Sequence, residues 1–580
     1  MNKRKAIKQT GTIRWRLFTV FSLIALVFFG LIVRTAYIQV ISPDELKKQG
    51  DLRTHRQLSD TVLRGMITDR NGLELAISVP VNTVWADPKQ VIESQGLDKD
   101  REWRALADIL DIDVDKIKQR ITANPTGRFV YLARQVSPAM ADYVRHLNLK
   151  GVYLRPESKR YYPAAEINAH IVGITNIDDQ GIDGIEKLYD DALTGENGKK
   201  SILRDAKGHV IEVLSEQAAK QAKDISLSID QRIQTLAYQE LKKAVQYYQA
   251  DSGTVVALDV NSGEILAMVN NPSYNPNNRS GVSQSAMRNR SITDTFEPGS
   301  TIKPLAVLSA LEFGSINAGS VIDTSPGWIM FGGRRVRDPY NRGKLTIEQI
   351  LKKSSNVGTT KLALSLPHEQ FLDAFYNVGF GSETGTGLLG ESSGIFYDRR
   401  RWSEFELATL SFGYGLSVTA LQLAQMYATI GNGGVRRPLS ILKREAPMEG
   451  SQVFSHSSSR QLLKMMESVL DDDGSGHKAA VEGYRVAGKT GTSRKAVAGG
   501  YGNDYVGLFA GVAPVSDPKI ALVVVINNPK GDKYYGGDVA APVFSKVMGG
   551  ALQILNVPND KSDTDDIQLA QLKGDSSNAY

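Results

Sequence analysis

Pro298-Gly299-Ser300-Thr301-Ile302-Lys303-Pro304 is the stretch on which the reading of this chain turns, with Ser354-Ser355-Asn356 and Lys489-Thr490-Gly491-Thr492 following it. Residues three apart on a helix share a face, so the spacing lets Lys303 reach back to the hydroxyl of Ser300. Pro298-Gly299 breaks the preceding segment. Leu305, Val307, Leu308 and Leu311 then fall to one side at helical period before Gly314, which stops the helix. Pro304 falls in the first turn, where backbone N–H groups have no partner inside the helix and a missing one costs little. Ser300 thus stands at a helix N-terminus, whose partial positive charge favours negative charge developing on or near its oxygen.

A serine hydroxyl attacks a carbonyl poorly unless a base takes its proton, and Lys303 serves as that base only if its amine is partly neutral. Burial and a second cation both push that way, and Lys489 supplies the cation. The Ser354 hydroxyl is suited to passing the proton to a leaving amine. Asn356 donates and accepts, which suits holding a substrate amide. Residues 486–492 read as a strand edge along which a peptide can lie by strand addition, with Gly491 leaving room beside it. Thr490, Gly491 and Thr492 are therefore candidate substrate-binding residues. The backbone N–H groups of Ser300 and Thr492 would form the oxyanion hole, each worth roughly 3 kcal/mol in the transition state.

Each motif alone carries little information. Ser475-Gly476-His477-Lys478 has the first spacing but follows Asp471-Asp472-Asp473-Gly474 and reads as a loop. Ser273-Tyr274-Asn275, Ser315-Ile316-Asn317 and Ser576-Ser577-Asn578 repeat the second pattern. Order and surroundings decide. The bland alternatives are an N-cap at Ser300 with a solvated Lys303, and a capped turn at Ser354 to Asn356 before the segment beginning at Val357.

Phe296-Glu297-Pro298-Gly299-Ser300-Thr301-Ile302-Lys303-Pro304 resembles the active-site segment of class B penicillin-binding proteins, the bacterial cell-wall D,D-transpeptidases. Arg64-Gly65-Met66-Ile67-Thr68-Asp69-Arg70-Asn71-Gly72 is similar to the first motif of that family's membrane-proximal module. Arg160-Tyr161-Tyr162-Pro163, His170-Ile171-Val172-Gly173 and Gly184-Ile185-Glu186 are similar to later ones. The similarity runs from the N-terminal anchor to about Leu555 and is greatest with the division-specific branch. It implies cross-linking of peptidoglycan stem peptides built from lipid II, inhibition by β-lactams that acylate the same serine, and no cofactor or metal. It also implies a separate membrane glycosyltransferase of the FtsW type as a partner, with other division proteins.

Charge and hydropathy bear on that reading independently. From Met1 to Pro43 there are seven Lys or Arg and no Asp or Glu; without them the remaining 62 basic residues face 63 acidic ones. The net charge of +6 belongs to the N-terminus, and a nucleic-acid-binding reading loses its support. Residues 17–33 form a nearly unbroken apolar run, extended weakly through 36–41, long enough to span a bilayer with Arg34 snorkelling at one edge. Lys3, Arg4, Lys5, Lys8, Arg14 and Arg16 precede it, which keeps the N-terminus cytoplasmic and sends the rest outward. A cleaved signal peptide would have a shorter apolar region ending in small residues, whereas Val33-Arg34-Thr35-Ala36-Tyr37 follows here, so an uncleaved anchor is expected. There are no cysteines, and seven scattered histidines show no metal-ligand spacing.

The length suggests roughly three or four folding units. The expected organisation is a basic cytoplasmic tail over 1–16, a transmembrane anchor over 17–41, a pedestal module over 42–223, a transpeptidase domain over 224–557 and a disordered tail over 558–580. In the pedestal, 98–123 is the clearest helical part, and Arg64 and Asp69 are read either as internal ion pairs or as partner contacts. In the catalytic part, helices are expected over 231–247, 347–354 and 420–429. Strands are expected over 254–260, 264–269, 506–513 and 520–526. Strands at both ends with helices between give an α+β fold, one antiparallel sheet flanked by helices, which is also the penicillin-binding and serine β-lactamase-like architecture the resemblance implies. Tyr505, Tyr534 and Tyr535 are candidates for an aromatic wall along the cleft, the alternative being simple packing.

Three functions fit these motifs: a D,D-transpeptidase with an amine acceptor, a D,D-carboxypeptidase or β-lactamase with water as acceptor, and a penicillin-binding sensor or scaffold. The acylation half is common to the first two. The anchor and the large pedestal favour the first.

Overall fold

Val255 and Ala257 are buried to one side of β1 (Ser252–Asp259), and Val256 and Leu258 to the other, so this strand is covered on both faces. The computed structural model describes residues 11–41, 44, 54–60, 62–205, 209–314, 316–397, 399, 401–497 and 499–561. A turn at Asn261-Ser262-Gly263 returns the chain as β2 (Ile265–Asn271). After a long helical excursion come β3 (Ala487–Val497), β4 (Gly500–Ala513) and β5 (Ile520–Asn527). All pairings are antiparallel and the order is β2-β1-β5-β4-β3, which leaves β3 at an edge.

Two helical layers cover the sheet. On one face lie α1 (Gln231–Tyr247), capped by Asp230, and later the helix Ala541–Ile554. There Phe509 and Phe544 sit 4.6 Å apart, centroid to centroid, and each fully buried ring contributes about 2 kcal/mol of transfer free energy. On the other face lie α2 (Lys303–Phe313), α3 (Ile347–Lys352), α4 (Asn356–Leu364) and α5 (Ala420–Gly431). The expected helix over 347–354 ends earlier, at Lys352, and the one over 420–429 runs two residues further. The one-sided period read for α2 understates its surroundings, because every residue from Lys303 to Ala310 is buried. Helices His368–Asn377 and His456–Glu467 pack on it together with α4, so only its last turn, at Phe313, meets solvent.

Arg64–Thr194 forms one compact unit with Lys223–Tyr580. Its pedestal part holds Glu74–Ala86 between Val130–Val136 and Val152–Tyr161, with helix Asp100–Leu110 burying its Trp103 and Leu106 in one core with Ile117 and Ile121 of helix Val114–Thr122. The single helical stretch expected over 98–123 is two helices, because Asp111 takes a left-handed φ of 51° and Asp113 caps the second. Three of the motifs quoted for the membrane-proximal module, those of Arg64, Arg160 and Glu186, meet in one cluster, while His170 turns to Ala286 O. Glu186 receives Arg64 Nε at 2.7 Å and Arg160 Nε at 2.6 Å, and Arg64 Nη1 also reaches Asp190 at 2.7 Å. Asp69 accepts from the backbone N–H groups of Asn71 and Leu73, both at 2.8 Å, and of Gln231 at 3.1 Å. Arg64 is thus an internal ion pair, and Asp69 ties this loop to the start of α1.

The other unit comprises Met1–Leu63 and Gly195–Ala222. Its helix Gly11–Ala36 continues into the wide turn Tyr37–Ile41, and a span of 27 residues, Arg14–Val40, carries exposed apolar side chains throughout. Among the described residues it is the one helix long and apolar enough to cross a membrane. The unit also holds a three-stranded sheet in which Gly198–Arg204 lies between His55–Asp60 and Val210–Gln217. The basic residues Lys3 to Lys8, and the 558–580 tail from residue 562 on, lie outside the described residues. Before that point Asp560 accepts from Arg485 N at 2.7 Å and Ser516 N at 3.1 Å, so the start of the tail is still held to the body.

Candidate active site

Gly299 has a φ of +53°, a region open to glycine at little cost, and it starts the tight turn Gly299–Ile302 that carries Ser300. Sequence spacing puts Ser300 at the N-terminus of an α-helix. The structure instead puts it on a 3₁₀ turn feeding α2, where residues three apart eclipse, so Ser300 and Lys303 still face the same way. Pro304 occupies the first turn of α2 as expected.

Lys303 is completely buried, and its Nζ donates to Ser354 O at 2.6 Å, Asn356 Oδ1 at 2.7 Å and Ser354 Oγ at 3.1 Å. Ser354 Oγ donates to Ser300 Oγ at 3.1 Å. The direct reach of Lys303 to Ser300 read from the spacing is therefore replaced by a two-step chain through Ser354. Three acceptors already match the three donors of an ammonium, and Ser300 is reached at one remove. Burial first, then the Lys489 ammonium, hold the Lys303 amine well below the usual lysine range, with Arg342 adding to the depression and Asp338 opposing it.

Ser354 adopts a left-handed φ of 55°, an uncommon conformation for a residue with a Cβ. Its surroundings impose it. Ser355 caps α4, accepting from Gly358 N, and donates to Asp338 Oδ2 at 2.5 Å, while Asp338 Oδ1 accepts from Asn356 N at 2.5 Å and Val357 N at 3.1 Å. A buried carboxylate thus sits on the N-terminus of α4 and fixes the turn, where charge and dipole agree. The capped turn and the lysine contacts are both real. The Asn356 carboxamide is engaged at both ends, its Oδ1 by Lys303 and its Nδ2 by Arg337 O at 3.2 Å.

Lys489 lies on edge strand β3, fully buried, with Nζ 3.2 Å from Thr490 O and 3.4 Å from Thr490 Oγ1. Burial pushes its pKa down to about 7. Thr490 Oγ1 donates to Ser475 Oγ at 3.0 Å, and Thr492 Oγ1 accepts from Gly536 N at 3.0 Å. A Cβ on Gly491 would lie 2.8 Å from Thr301 Cγ2 and 3.0 Å from Pro298 O. The space that glycine leaves is therefore occupied by the serine-bearing turn, which it allows to approach the strand. Tyr505 and Tyr534 stack at 4.2 Å and Tyr534 and Tyr535 at 4.5 Å, so the three tyrosines named from sequence form one column, with the Arg494 guanidinium over Tyr505.

Sequence reasoning missed Asp338 and Ser475. Asp338 is a single acid sixteen residues before Ser354 with no motif around it; its role exists only once the Trp328–Phe331 and Arg334–Arg337 hairpin delivers it to α4. Ser475 was read as part of a loop, which it is, ahead of the short turn His477–Ala479, but that loop borders β3. Ser273, another decoy, donates to Glu166 O. Ser315 and Ser576 lie outside the described residues. A cavity of about 570 Å³ is lined by Glu297 and by Ser493, Arg494 and Lys495, which follow Thr492 on β3. Among the described residues no three His, Asp or Glu side chains gather as a metal site.

An antiparallel sheet whose edge strand carries a buried lysine, facing a second buried lysine at the start of a central helix and a serine on the turn that leads into it, defines a serine acyl-transfer enzyme. The chain matches the penicillin binding protein transpeptidase domain over residues 253–549 and the penicillin-binding protein dimerisation domain over residues 59–227, and it belongs to the penicillin-binding protein transpeptidase family. It is 50% identical over 555 residues to the peptidoglycan D,D-transpeptidase FtsI of Escherichia coli strain K12, covering 96% of this chain and 94% of that one. It is 39% identical over 563 residues to the probable peptidoglycan D,D-transpeptidase PenA of Neisseria gonorrhoeae, covering 96% of each. Among solved structures, a peptidoglycan synthetase from Bifidobacterium adolescentis superposes with a TM-score of 0.69 at 26% identity, over 88% of this chain and 98% of that one. The transpeptidase domain of Burkholderia pseudomallei penicillin-binding protein 3 superposes with a TM-score of 0.54 at 37% identity, over 58% of this chain and 98% of that one.

Proposed function

We propose that this protein is a membrane-anchored peptidoglycan D,D-transpeptidase that cross-links stem peptides at the division septum, with its N-terminus cytoplasmic and residues 224–557 acting as the catalytic domain outside the membrane on a 42–223 pedestal. The observation that carries the reading is the Lys303–Ser354–Ser300 chain, with both steps at 3.1 Å, beside a second buried lysine on the edge strand.

Ser300 Oγ attacks the carbonyl of the penultimate D-Ala of a stem peptide laid along β3. Its proton passes through Ser354 Oγ to the neutral Lys303 amine, and the negative oxygen of the tetrahedral intermediate is received by the backbone N–H groups of Ser300 and Thr492. Collapse breaks the peptide bond, Ser354 returns the proton to the departing nitrogen, and terminal D-Ala leaves. Asn356 exchanges its internal contacts for the substrate amide. Lys489 keeps the Lys303 proton loosely held and, with Thr490 and Thr492, draws the substrate's terminal carboxylate to the edge strand. An amine from a neighbouring stem peptide then attacks the Ser300 ester, transfers its proton back along the same relay and forms the cross-link. β-Lactams present a strained amide to the same hydroxyl and leave a slowly cleared ester. Gly491 lets the serine turn close on β3, and the Tyr505, Tyr534 and Tyr535 column forms one wall of the cleft. A membrane glycosyltransferase of the FtsW type supplies the strands.

Intact-mass spectrometry after benzylpenicillin, with peptide mapping, tests the assignment. A single adduct on the Ser300 peptide, absent from Ser300→Ala, is expected; an adduct on another serine of the variant rejects it. Incubation with lipid-linked precursors and the glycosyltransferase should yield cross-linked dimers, whereas shortened monomers would mean that water is the acceptor.

A further inference from the structure

Trp328–Phe331 and Arg334–Arg337 pair as a hairpin whose two faces differ in character. Inward, Phe331 meets Phe405 and Val336 is buried against Ala408 and Phe412, which pins the hairpin to the body. Outward, Trp328 is 41% and Met330 48% exposed, and their cross-strand partners Arg337 and Arg335 are exposed too. Between Pro326 and Lys344 the chain carries Arg334, Arg335, Arg337, Arg342 and Lys344 against one acid, Asp338. That acid is spent on Ser355, Asn356 and Val357. Among the described residues none of the four arginines forms an ion pair; Arg334 lies over Phe405 and Arg335 over Trp328. Elsewhere on this molecule surface arginines such as Arg104, Arg145 and Arg399 have carboxylate partners. The uncompensated charge is also close to the reacting groups, since Arg342 is near enough to disfavour protonation of Lys303 and Arg337 O holds Asn356.

A glycan strand whose uncross-linked peptides each end in a free carboxylate is a polyanion, and a rigid cationic ledge with exposed Trp328 and Met330 complements it in charge and in apolar surface. Resting on the transpeptidase reading above, we propose that the outer face of the 328–337 hairpin is a docking surface for the carboxylate-bearing stem peptides of a peptidoglycan strand, holding the polymer beside the Ser300 cleft while one peptide enters it.

The test uses the full-length protein in detergent and soluble, uncross-linked peptidoglycan strands, comparing wild type with Arg335→Gln/Arg337→Gln and Arg335→Lys/Arg337→Lys. Strand affinity should weaken as salt is raised from about 0.05 to 0.3 M, where screening shortens to less than a nanometre. It should fall at least about tenfold in the Gln pair, the size of two lost charge contacts of roughly 0.7 kcal/mol each, and recover in the Lys pair. Strands with amidated carboxyls should bind wild type as weakly as native strands bind the Gln pair, and all three proteins should unfold at the same temperature. Unchanged affinity in the Gln pair, equal binding of amidated strands, or failure of the Lys pair to recover would overturn the proposal. So would a preference for anionic phospholipid vesicles over strands, which would make the ledge a membrane contact. Failure of the transpeptidase reading itself would show separately, as absence of a Ser300 adduct in wild type.

Discussion

Two buried charge clusters in this protein are built on opposite rules. In the pedestal, Glu186 sits between Arg64 and Arg160, Arg64 also pairs with Asp190, every distance is 2.6 to 2.7 Å, and two guanidinium groups are matched by two carboxylates. In the cleft, Lys303 and Lys489 are equally buried, yet their hydrogen bonds run to hydroxyls, an amide and carbonyls. A matched cluster fixes protonation and rewards only correct assembly. An unmatched pair of amines is held short of protons, which is an unstable arrangement for a scaffold and a useful one for a base. The same side-chain chemistry thus serves architecture in one region and reactivity in the other.

The largest effect that would break this contrast is at Lys303. Lys303→Ala removes the proton acceptor, and the rate of acylation by benzylpenicillin should fall by about 10²- to 10⁴-fold with the unfolding midpoint little changed. Stopped-flow or gel-based labelling measures it. Acylation at the wild-type rate would mean that the buried amine is structural and that the two clusters do not differ in kind.

Glu186→Gln is the complementary change. Two buried guanidinium groups lose their shared counter-charge, a loss of about 3–5 kcal/mol of stability, and thermal unfolding of the purified protein should report a clearly lower midpoint. Acylation per folded molecule should be unaltered. A variant of normal stability and reduced acylation would make this cluster part of the catalytic apparatus.

Much of this was legible in the residues, for physical reasons that differ between the parts. The antiparallel sheet could be read because its strands are short apolar runs bounded by turn residues. The reacting groups could be read because their chemistry needs fixed local spacing. What escaped notice depends on chain segments meeting. Asp338 matters only because the hairpin brings it to the N-terminus of α4, and Gly491 makes room for Thr301, 190 positions away, rather than for substrate. The left-handed Ser354 is equally silent in sequence, since the residues that force it, Ser355 and Asp338, act through hydrogen bonds.

The finest test of the contrast is the direction of a pH shift. Acylation needs the Lys303 amine neutral, so its rate rises with pH through that group's pKa, and it falls again once Lys489, whose pKa burial pushes down to about 7, loses the charge that draws the substrate's carboxylate. Lys489 opposes protonation of Lys303 and Asp338 favours it. In Lys489→Met the opposing charge is gone, Lys303 keeps its proton to higher pH, and the acid limb of the profile should move up. In Asp338→Asn the favouring charge is gone and the limb should move down, while the maximum falls about tenfold because the turn at Ser354 loses charge-assisted hydrogen bonds. Opposite displacements in two variants that both lower the rate cannot come from general damage, which carries no sign. Displacement of the acid limb in the same direction in both variants would show that Lys303 does not set it, and the distinction between matched and unmatched clusters would lose its chemical meaning.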